Sequence, residues 1–309
     1  MDPLRIGVTG TGALGRHHVR ILSELDGVEL VGIHDADVEV ARAVAGEFGA
    51  TRFEATADLA SEVEAMVVAV PTLHHEEVAG PLLEGGVHVM VEKPIADSVD
   101  SADRLLEAAG DRVVAVGHVE FYNPAVQALL ARVESPRFLE IQRLSIFTQR
   151  SLDIDVVLDL MIHDIQILQA LDQSCVTEVR SVGVDVLSER IDIANARIAL
   201  ASGCVANLTA SRVSAQRVRE LRIFSSDAYY SLDYQAQTLK GFRLEQSEAD
   251  GSRQIGGMQV EIEQAEPLRR ELEAFASACR AGGDRYVTGV DGRAALACAL
   301  DVVSEALGG

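Results

Sequence analysis

The stretch Arg5–Gly15, RIGVTGTGALG, decides the fold. Arg5–Thr9 is a short apolar run, the pattern of a buried strand. The loop Gly10-Thr11-Gly12-Ala13-Leu14-Gly15 follows at once, and Gly15–Leu25 then carries apolar residues at helical spacing. In this strand–loop–helix setting each glycine of G-x-G-x-x-G has a task. Gly10 permits the tight turn, Gly12 lets the backbone approach a pyrophosphate, and Gly15 lets the helix pack against the strand. The free N–H groups at the start of the helix then face the phosphates. A glycine-rich turn without a ligand is the plainer reading of the same residues, and it leaves the flanking strand and helix unexplained.

Outward from this loop the first third of the chain alternates strand and helix. Strands are expected at Val28–His34, Ala65–Val70, Val87–Val91 and Val113–Val116. Helices are expected at Val38–Phe48, near Asp58–Ser61, at His75–Glu84 and at Ser98–Ala109. Such alternation predicts a doubly wound parallel sheet covered on both faces, an α/β Rossmann domain over residues 1–121. Asp35 ends the second strand, twenty residues after Gly15. A carboxylate there accepts the ribose hydroxyls of NAD and repels the 2′-phosphate of NADP, and no arginine follows it at once, so NAD is preferred to NADP. A turn or helix-capping role for Asp35 is the alternative.

After Pro124 the pattern changes. Helices are expected at about Ala125–Val133 and Val156–Leu171, with a strand at Phe138–Thr148 between them. Six β-rich segments follow: Thr177–Leu187, Ile191–Leu200, Cys204–Arg212, Arg219–Ser225, Tyr229–Asp233 and Thr238–Leu244. Their short connections favour a large, mostly antiparallel open sheet. Glu245–Gly257 is polar and reads as a loop or hairpin end, and two helices, at about Pro267–Arg280 and Gly292–Leu307, close the chain. Residues 122–309 are therefore expected to form one α+β domain that holds the substrate.

Bulk properties narrow the function. A formal net charge of −21 opposes bulk nucleic-acid binding. No apolar run is long enough for a membrane span, and the opening MDPLRIGVTG lacks the pattern of a signal peptide, so a cytoplasmic protein is expected. Cys175, Cys204, Cys279 and Cys298 are scattered and read as reduced thiols. The doublets His17-His18 and His74-His75 have no acid or cysteine partner at ligand spacing, so no metal is expected.

Two places carry candidate chemistry. Glu92-Lys93-Pro94 follows the strand Val87–Val91, at the sheet edge where open α/β folds bind ligands. A lysine held there can donate to a substrate oxygen, although in isolation a surface lysine is the better reading. Asp159 and His163 stand four apart on an otherwise apolar helix, so they share a face. Histidine can take a proton near neutral pH, as oxidation of an alcohol requires. A core histidine satisfied by a neighbouring acid remains the competing reading.

Taken in order, GTGALG with Asp35, VPTLHHEEVA with Pro71 and His75, VEKPIA with Lys93, and LDLMIHDI with Asp159 and His163 resemble the glucose-fructose oxidoreductase / inositol dehydrogenase / MocA family over essentially the whole chain. The resemblance implies that Lys93 and His163 form the catalytic pair and that Asp159 faces the substrate. His163 would accept the hydroxyl proton while hydride leaves to NAD, with Lys93 stabilising the oxygen. It adds Pro71, Thr72, His75, Glu92 and Lys93 to the cofactor site, and it implies a homodimer or homotetramer. GHVEFYNPAV (Gly117–Val126) and SRVSAQRVRELRIFSSDAYYSLDY (Ser211–Tyr234) look like the branch that oxidises C3 of UDP-linked N-acetylhexosamines, with Tyr122 and Asn123 lining the substrate site. The chain departs from that branch at Phe121, where arginine is frequent. Other readings are a relative acting on inositol, a free sugar or another polyol, a reductase of the biliverdin reductase type, and a non-catalytic NAD-sensing regulator. The last needs the glycine loop but neither Lys93 nor His163.

Overall fold

The computed structural model describes all residues except 1, 149–153, 247–252, 282–284 and 309. The chain divides into two compact units, one of Met1–Val119 with Glu266–Leu296, the other of Glu120–Ala265 with Ala297–Gly309.

In the first unit the elements run β1 (Leu4–Thr9), α1 (Gly15–Glu24), β2 (Val28–His34), α2 (Val38–Phe48), α3 (Thr56–Ala60), β3 (Ala65–Val68), α4 (His75–Glu84), β4 (His88–Glu92), α5 (Val99–Ala109) and β5 (Val114–Gly117). The five strands form one sheet in the order β2-β1-β3-β4-β5, and every pairing is parallel. This is the expected Rossmann sheet. Strands β1, β3, β4 and β5 are buried on both faces, which is why they read as apolar runs rather than alternating ones, while the edge strand β2 is only part-buried. Local capping agrees with the sequence: Asp37 accepts from the backbone N–H groups of Glu39 and Val40 to open α2, and Gly49 closes it in the left-handed conformation.

The second unit contains α6 (Pro124–Leu130), β6 (Phe138–Leu144), α7 (Ile162–Leu171), β7 (Val176–Val184), β8 (Ile193–Leu200), β9 (Val205–Ser211), β10 (Val218–Phe224), β11 (Ala228–Asp233), β12 (Thr238–Gln246) and β13 (Arg253–Gln259). The eight strands pair in the order β13-β12-β11-β10-β6-β9-β8-β7. All neighbours are antiparallel except β6 and β9, which run parallel. One face buries Leu139, Ile141, Leu208, Leu221 and Ile223. Alternate residues put a row of aromatic rings on the other face: Phe138–Phe224, Phe224–Tyr229 and Tyr229–Phe242 have centroids 5.8, 4.9 and 5.9 Å apart.

Three expectations need correction. β13 lies where the sequence reads as the end of a loop, because RQIGGMQ is polar and carries two glycines that weaken the strand pattern. Residues 247–252 of that expected loop lie outside the described ones. The helix expected from Val156 begins as a π turn over Val157–Met161, and only Ile162–Leu171 is α. The stretch 122–309 is not one uninterrupted domain. Helix α8 (Pro267–Ala281) returns to the first unit, where Leu272, Phe275 and Ala276 join Leu4, Val19 and Leu22 in one apolar core. The reason is hydrophobic: α1 has an apolar face that the sheet alone does not cover. Arg269 adds an ion pair to Glu24 at 2.7 Å. The last helix, α9 (Gly289–Ala306), begins in the first unit and ends in the second.

Phe275 is nearly inaccessible. Phe275→Ala should therefore cost ~3–5 kcal/mol, read as a lowered midpoint in denaturant. A cost below ~1 kcal/mol would mean that α8 is not part of that core.

Candidate active site

The glycine loop shows why it is built of glycines. Gly10 has φ 82°, and a Cβ there would lie 2.6 Å from the backbone of Ala69. A Cβ on Gly15 would lie 1.8 Å from the carbonyl oxygen of Gly10, an impossible contact. Gly12 differs: a Cβ there would meet no protein atom within 4 Å. Protein packing does not ask for glycine at position 12, and the backbone there is open to close approach. Ala13 and Leu14 lie exposed beside it. Helix α1 has no side-chain cap and no acid in its first turn, and the N–H groups of Arg16 and His17 donate to the carbonyls of Gly12 and Leu14.

Asp35 stands at the end of β2 and turns back to this loop. One carboxylate oxygen accepts from the N–H of Thr11 at 2.5 Å and its hydroxyl at 3.1 Å, and the other from the N–H of Asp37 at 2.9 Å. Asp35 thus couples the loop to β2. The residues fit a nicotinamide dinucleotide.

Beyond β3, Pro71 and Thr72 begin a short 3₁₀ turn that leads into α4. His75, at the start of α4, is buried, its ring 3.0 Å from the carbonyl oxygens of both Pro94 and Val70. Burial lowers its pKa, against those backbone contacts. The ring lies between the turn after β3 and the Glu92-Lys93-Pro94 segment after β4, one nitrogen towards a carbonyl of each. Its role in the fold is to hold those two segments together. The Lys93-Pro94 peptide bond is cis.

Lys93 sits among buried titratable groups. Glu92 is the partner of His18 on α1, with 2.7 Å between Oε1 and Nε2, and its other oxygen accepts the backbone N–H of Lys93 at 3.2 Å. Gly117 leaves room for that carboxylate, since a Cβ there would approach it to 2.8 Å. Burial opposes the Glu92 charge, but His18 and Lys93 outweigh it and hold Glu92 below the usual carboxylate range. The Glu92 side chain is thus committed to the fold around Lys93. Two members of this group have no periodic or spacing signal in the sequence. His118, just past β5, is pushed down to about 3 by burial, with the Lys93 charge adding to the effect. Glu271 on α8 is buried, and neither of its carboxyl oxygens has a hydrogen-bond partner. Burial first, and the Glu92 charge second, push its pKa well above the ordinary value, so it is protonated.

In the second unit Asp159 lies within the π turn, half-buried, and His163 is buried in the first turn of α7. π turns recur at functional positions because they shift side chains out of helical register. Tyr122 and Phe121 are buried and meet edge to face at 5.2 Å. Asn123 caps α6 by accepting the Ala125 N–H at 3.0 Å, and its amide donates to the Tyr234 carbonyl at 2.9 Å. Both of its polar atoms are therefore engaged in the fold. Among the described residues no group of three or more His, Cys, Asp or Glu is arranged to hold a metal ion, and no helix is long and apolar enough to cross a membrane.

Two variants probe this geometry. Gly12→Val should leave stability within ~0.5 kcal/mol of the parent while weakening NAD binding at least ~10-fold, measured by calorimetry. Equal affinity would remove Gly12 from the cofactor site. Glu271→Gln tests the protonated acid. In the unfolded chain Glu271 ionises in the ordinary carboxylate range, while the folded chain keeps the proton. Folding stability therefore falls as pH rises above the unfolded value, by up to ~1.4 kcal/mol per pH unit until the folded value is reached. Glu271→Gln lacks this penalty, so its stability relative to the parent should grow between pH 5 and pH 8. A difference independent of pH would show that Glu271 is ionised in the fold.

Residues 4–121 match the family described as "Oxidoreductase family, NAD-binding Rossmann fold". The chain is 37% identical over 305 residues, 98% of its length and 97% of the relative's, to UDP-N-acetylglucosamine 3-dehydrogenase of Acidithiobacillus ferrooxidans. A solved structure of that enzyme superposes with a TM-score of 0.92, covering 99% of this chain and 98% of that one. Inositol 2-dehydrogenase of Rubrobacter xylanophilus is 36% identical, over 43% of this chain and 40% of its own. A levoglucosan dehydrogenase structure, 17% identical with a TM-score of 0.85, covers 99% of this chain and 98% of its own and shares the fold. By its glycine loop, its two sheets and its likeness to a relative along nearly its full length, the chain belongs to the Gfo/Idh/MocA family of NAD-binding oxidoreductases.

Proposed function

We propose that this oxidoreductase uses NAD to oxidise C3 of a UDP-linked N-acetylhexosamine to a 3-keto sugar. The observation that carries the reading is the extent of the likeness: the similarity to a UDP-N-acetylglucosamine 3-dehydrogenase runs through both units, at 37% identity over 98% of the chain. The similarity to inositol 2-dehydrogenase spans 43% of it. The second unit is the one in which a substrate pocket would differ between such enzymes.

Bound NAD would supply the hydride acceptor. The glycine loop, the α1 N-terminus and Asp35 hold it, and Asp35 favours the free 2′-hydroxyl over a 2′-phosphate. Pro71, Thr72 and His75 shape the neighbouring wall. Lys93 donates to the substrate oxygen and stabilises the negative charge that develops there. His163 accepts the hydroxyl proton, and Asp159 orients the substrate. Tyr122 and Asn123 shape the substrate pocket from within the fold. Glu92 and His118, both buried, stand beside Lys93. Assembly as a homodimer or homotetramer and a cytoplasmic location complete the proposal; the aromatic row on the second sheet, with Phe242 exposed, supports the former.

Purified protein with NAD and UDP-N-acetylglucosamine, the ketone trapped by a carbonyl reagent, should form reduced nicotinamide. His163→Asn and Lys93→Ala should each lower kcat by ~100-fold or more. Turnover of myo-inositol and none of the UDP-sugar would overturn the substrate. Asp35→Ser should narrow the preference for NAD over NADP, measured as the ratio of kcat/KM values.

A further inference from the structure

The second unit holds a cluster of four charged side chains, Arg143 and Asp164 buried and Glu120 and Arg219 half-buried, that the proposed chemistry does not use. Arg143, on β6, is 1% exposed. Its guanidinium forks onto Asp164, with Nε to Oδ2 at 2.9 Å and Nη2 to Oδ1 at 2.6 Å. Its third nitrogen, Nη1, donates to Glu120 Oε1 at 2.7 Å, and Arg219 donates to the same oxygen at 3.1 Å. The guanidinium carbon lies 4.9 Å from the centre of the Tyr234 ring. Two cations and two anions leave the cluster neutral.

Stability does not account for it. Taking charges out of water costs about what their mutual attraction returns, and apolar side chains of the same volume hold such a place as well or better. Geometry accounts for it. Helix α7 follows the π turn Val157–Met161, and no side chain caps its start. A widened turn leaves the register of the following helix weakly set, and a slip of one residue turns every side chain by about 100°. The Arg143 fork is planar and accepts a carboxylate in one orientation only. It grips Asp164, the residue next to His163, in the first turn after the π segment. Burial opposes the Arg143 charge, but Asp164 and Glu120 outweigh it and hold the guanidinium well above its usual pKa, so the fork never loses a proton.

We propose that Arg143 is a positioning residue for His163: its fork to Asp164 sets the register of α7 after the π turn and thereby the direction of the imidazole. The proposal rests on the reading of His163 as the base. It is tested on the full chain with Arg143→Lys, which keeps the charge and loses the fork, with His163→Asn, and with the double variant. With NAD and UDP-N-acetylglucosamine, Arg143→Lys should lower kcat by ~10- to 100-fold while KM for NAD stays within about twofold. The double variant should be no slower than His163→Asn alone, because Arg143 acts through His163. Losses that multiply, or a parental kcat in Arg143→Lys, overturn the proposal. A substrate-free arm separates it from the reading of the base: in ring-labelled protein, Arg143→Lys should move the His163 imidazole resonances and leave those of His18 and His75 in place. Unmoved His163 resonances overturn the proposal even if the base or the substrate proves to be different. Should Arg143→Lys not fold, Asp164→Asn, of the same size and without the charge, takes its place in each arm.

Discussion

The carbonyl oxygen of Gly10 occupies the place where a side chain on Gly15 would begin. This contact of backbone on backbone ties the end of β1 to the start of α1, and much else in the first unit follows from it. It aims the helix N-terminus across the loop and brings Thr11 within reach of Asp35. It also sets α1 at a depth where His18 meets Glu92 and where Val19 and Leu22 need α8 to cover them. A methyl group at position 15 would force the helix away and dissolve these relations together.

Each unit places buried charge beside a residue assigned to chemistry, and the two do so by different means. Near Lys93, His118 is neutral and Glu92 is held as an anion, while Glu271, which feels the Glu92 charge, keeps its proton. Around His163 the charges are kept and matched, Arg143 and Arg219 against Asp164 and Glu120. The first arrangement tunes the field at a flexible lysine stem. The second fixes the direction of a short imidazole. A lysine needs its charge state set, and a histidine needs its ring aimed, so the contrast follows from the side chains themselves.

The Rossmann half was legible because its signals are local. A glycine loop between an apolar run and an amphipathic helix, the capping Asp37 and the closing Gly49 each act within a few residues. Most strands of the second sheet were legible from alternation, whereas β13 was hidden by its glycines and polar residues. The return of α8 was not legible: its apolar face reads the same whether it packs on one sheet or the other. In the site, the loop, Asp35, Lys93 and the Asp159–His163 pair stand out by motif and spacing. Arg143, Glu271 and His118 do not, because an arginine in a strand, an acid in a helix and a histidine after a strand carry no period. Their meaning comes from partners far away in the sequence, as with Arg143 and Asp164. Asn123 stands out in the sequence only through the resemblance, and its side chain caps α6 and bonds the Tyr234 carbonyl.

The discontinuity of the first unit has a consequence for how the chain is made. Arg20 and Glu266, an ion pair on its surface, are 246 positions apart, and Arg280 reaches back to Gly27 across 253. On the ribosome the parallel sheet emerges first, yet Val19 and Leu22 lack the cover of Leu272, Phe275 and Ala276 until Glu120–Ala265 of the second unit has been made. For most of translation the nascent protein therefore presents a greasy strip on α1, a natural holding site for a chaperone. A premature stop anywhere before α8 would strand that strip in the open and mark the fragment for degradation.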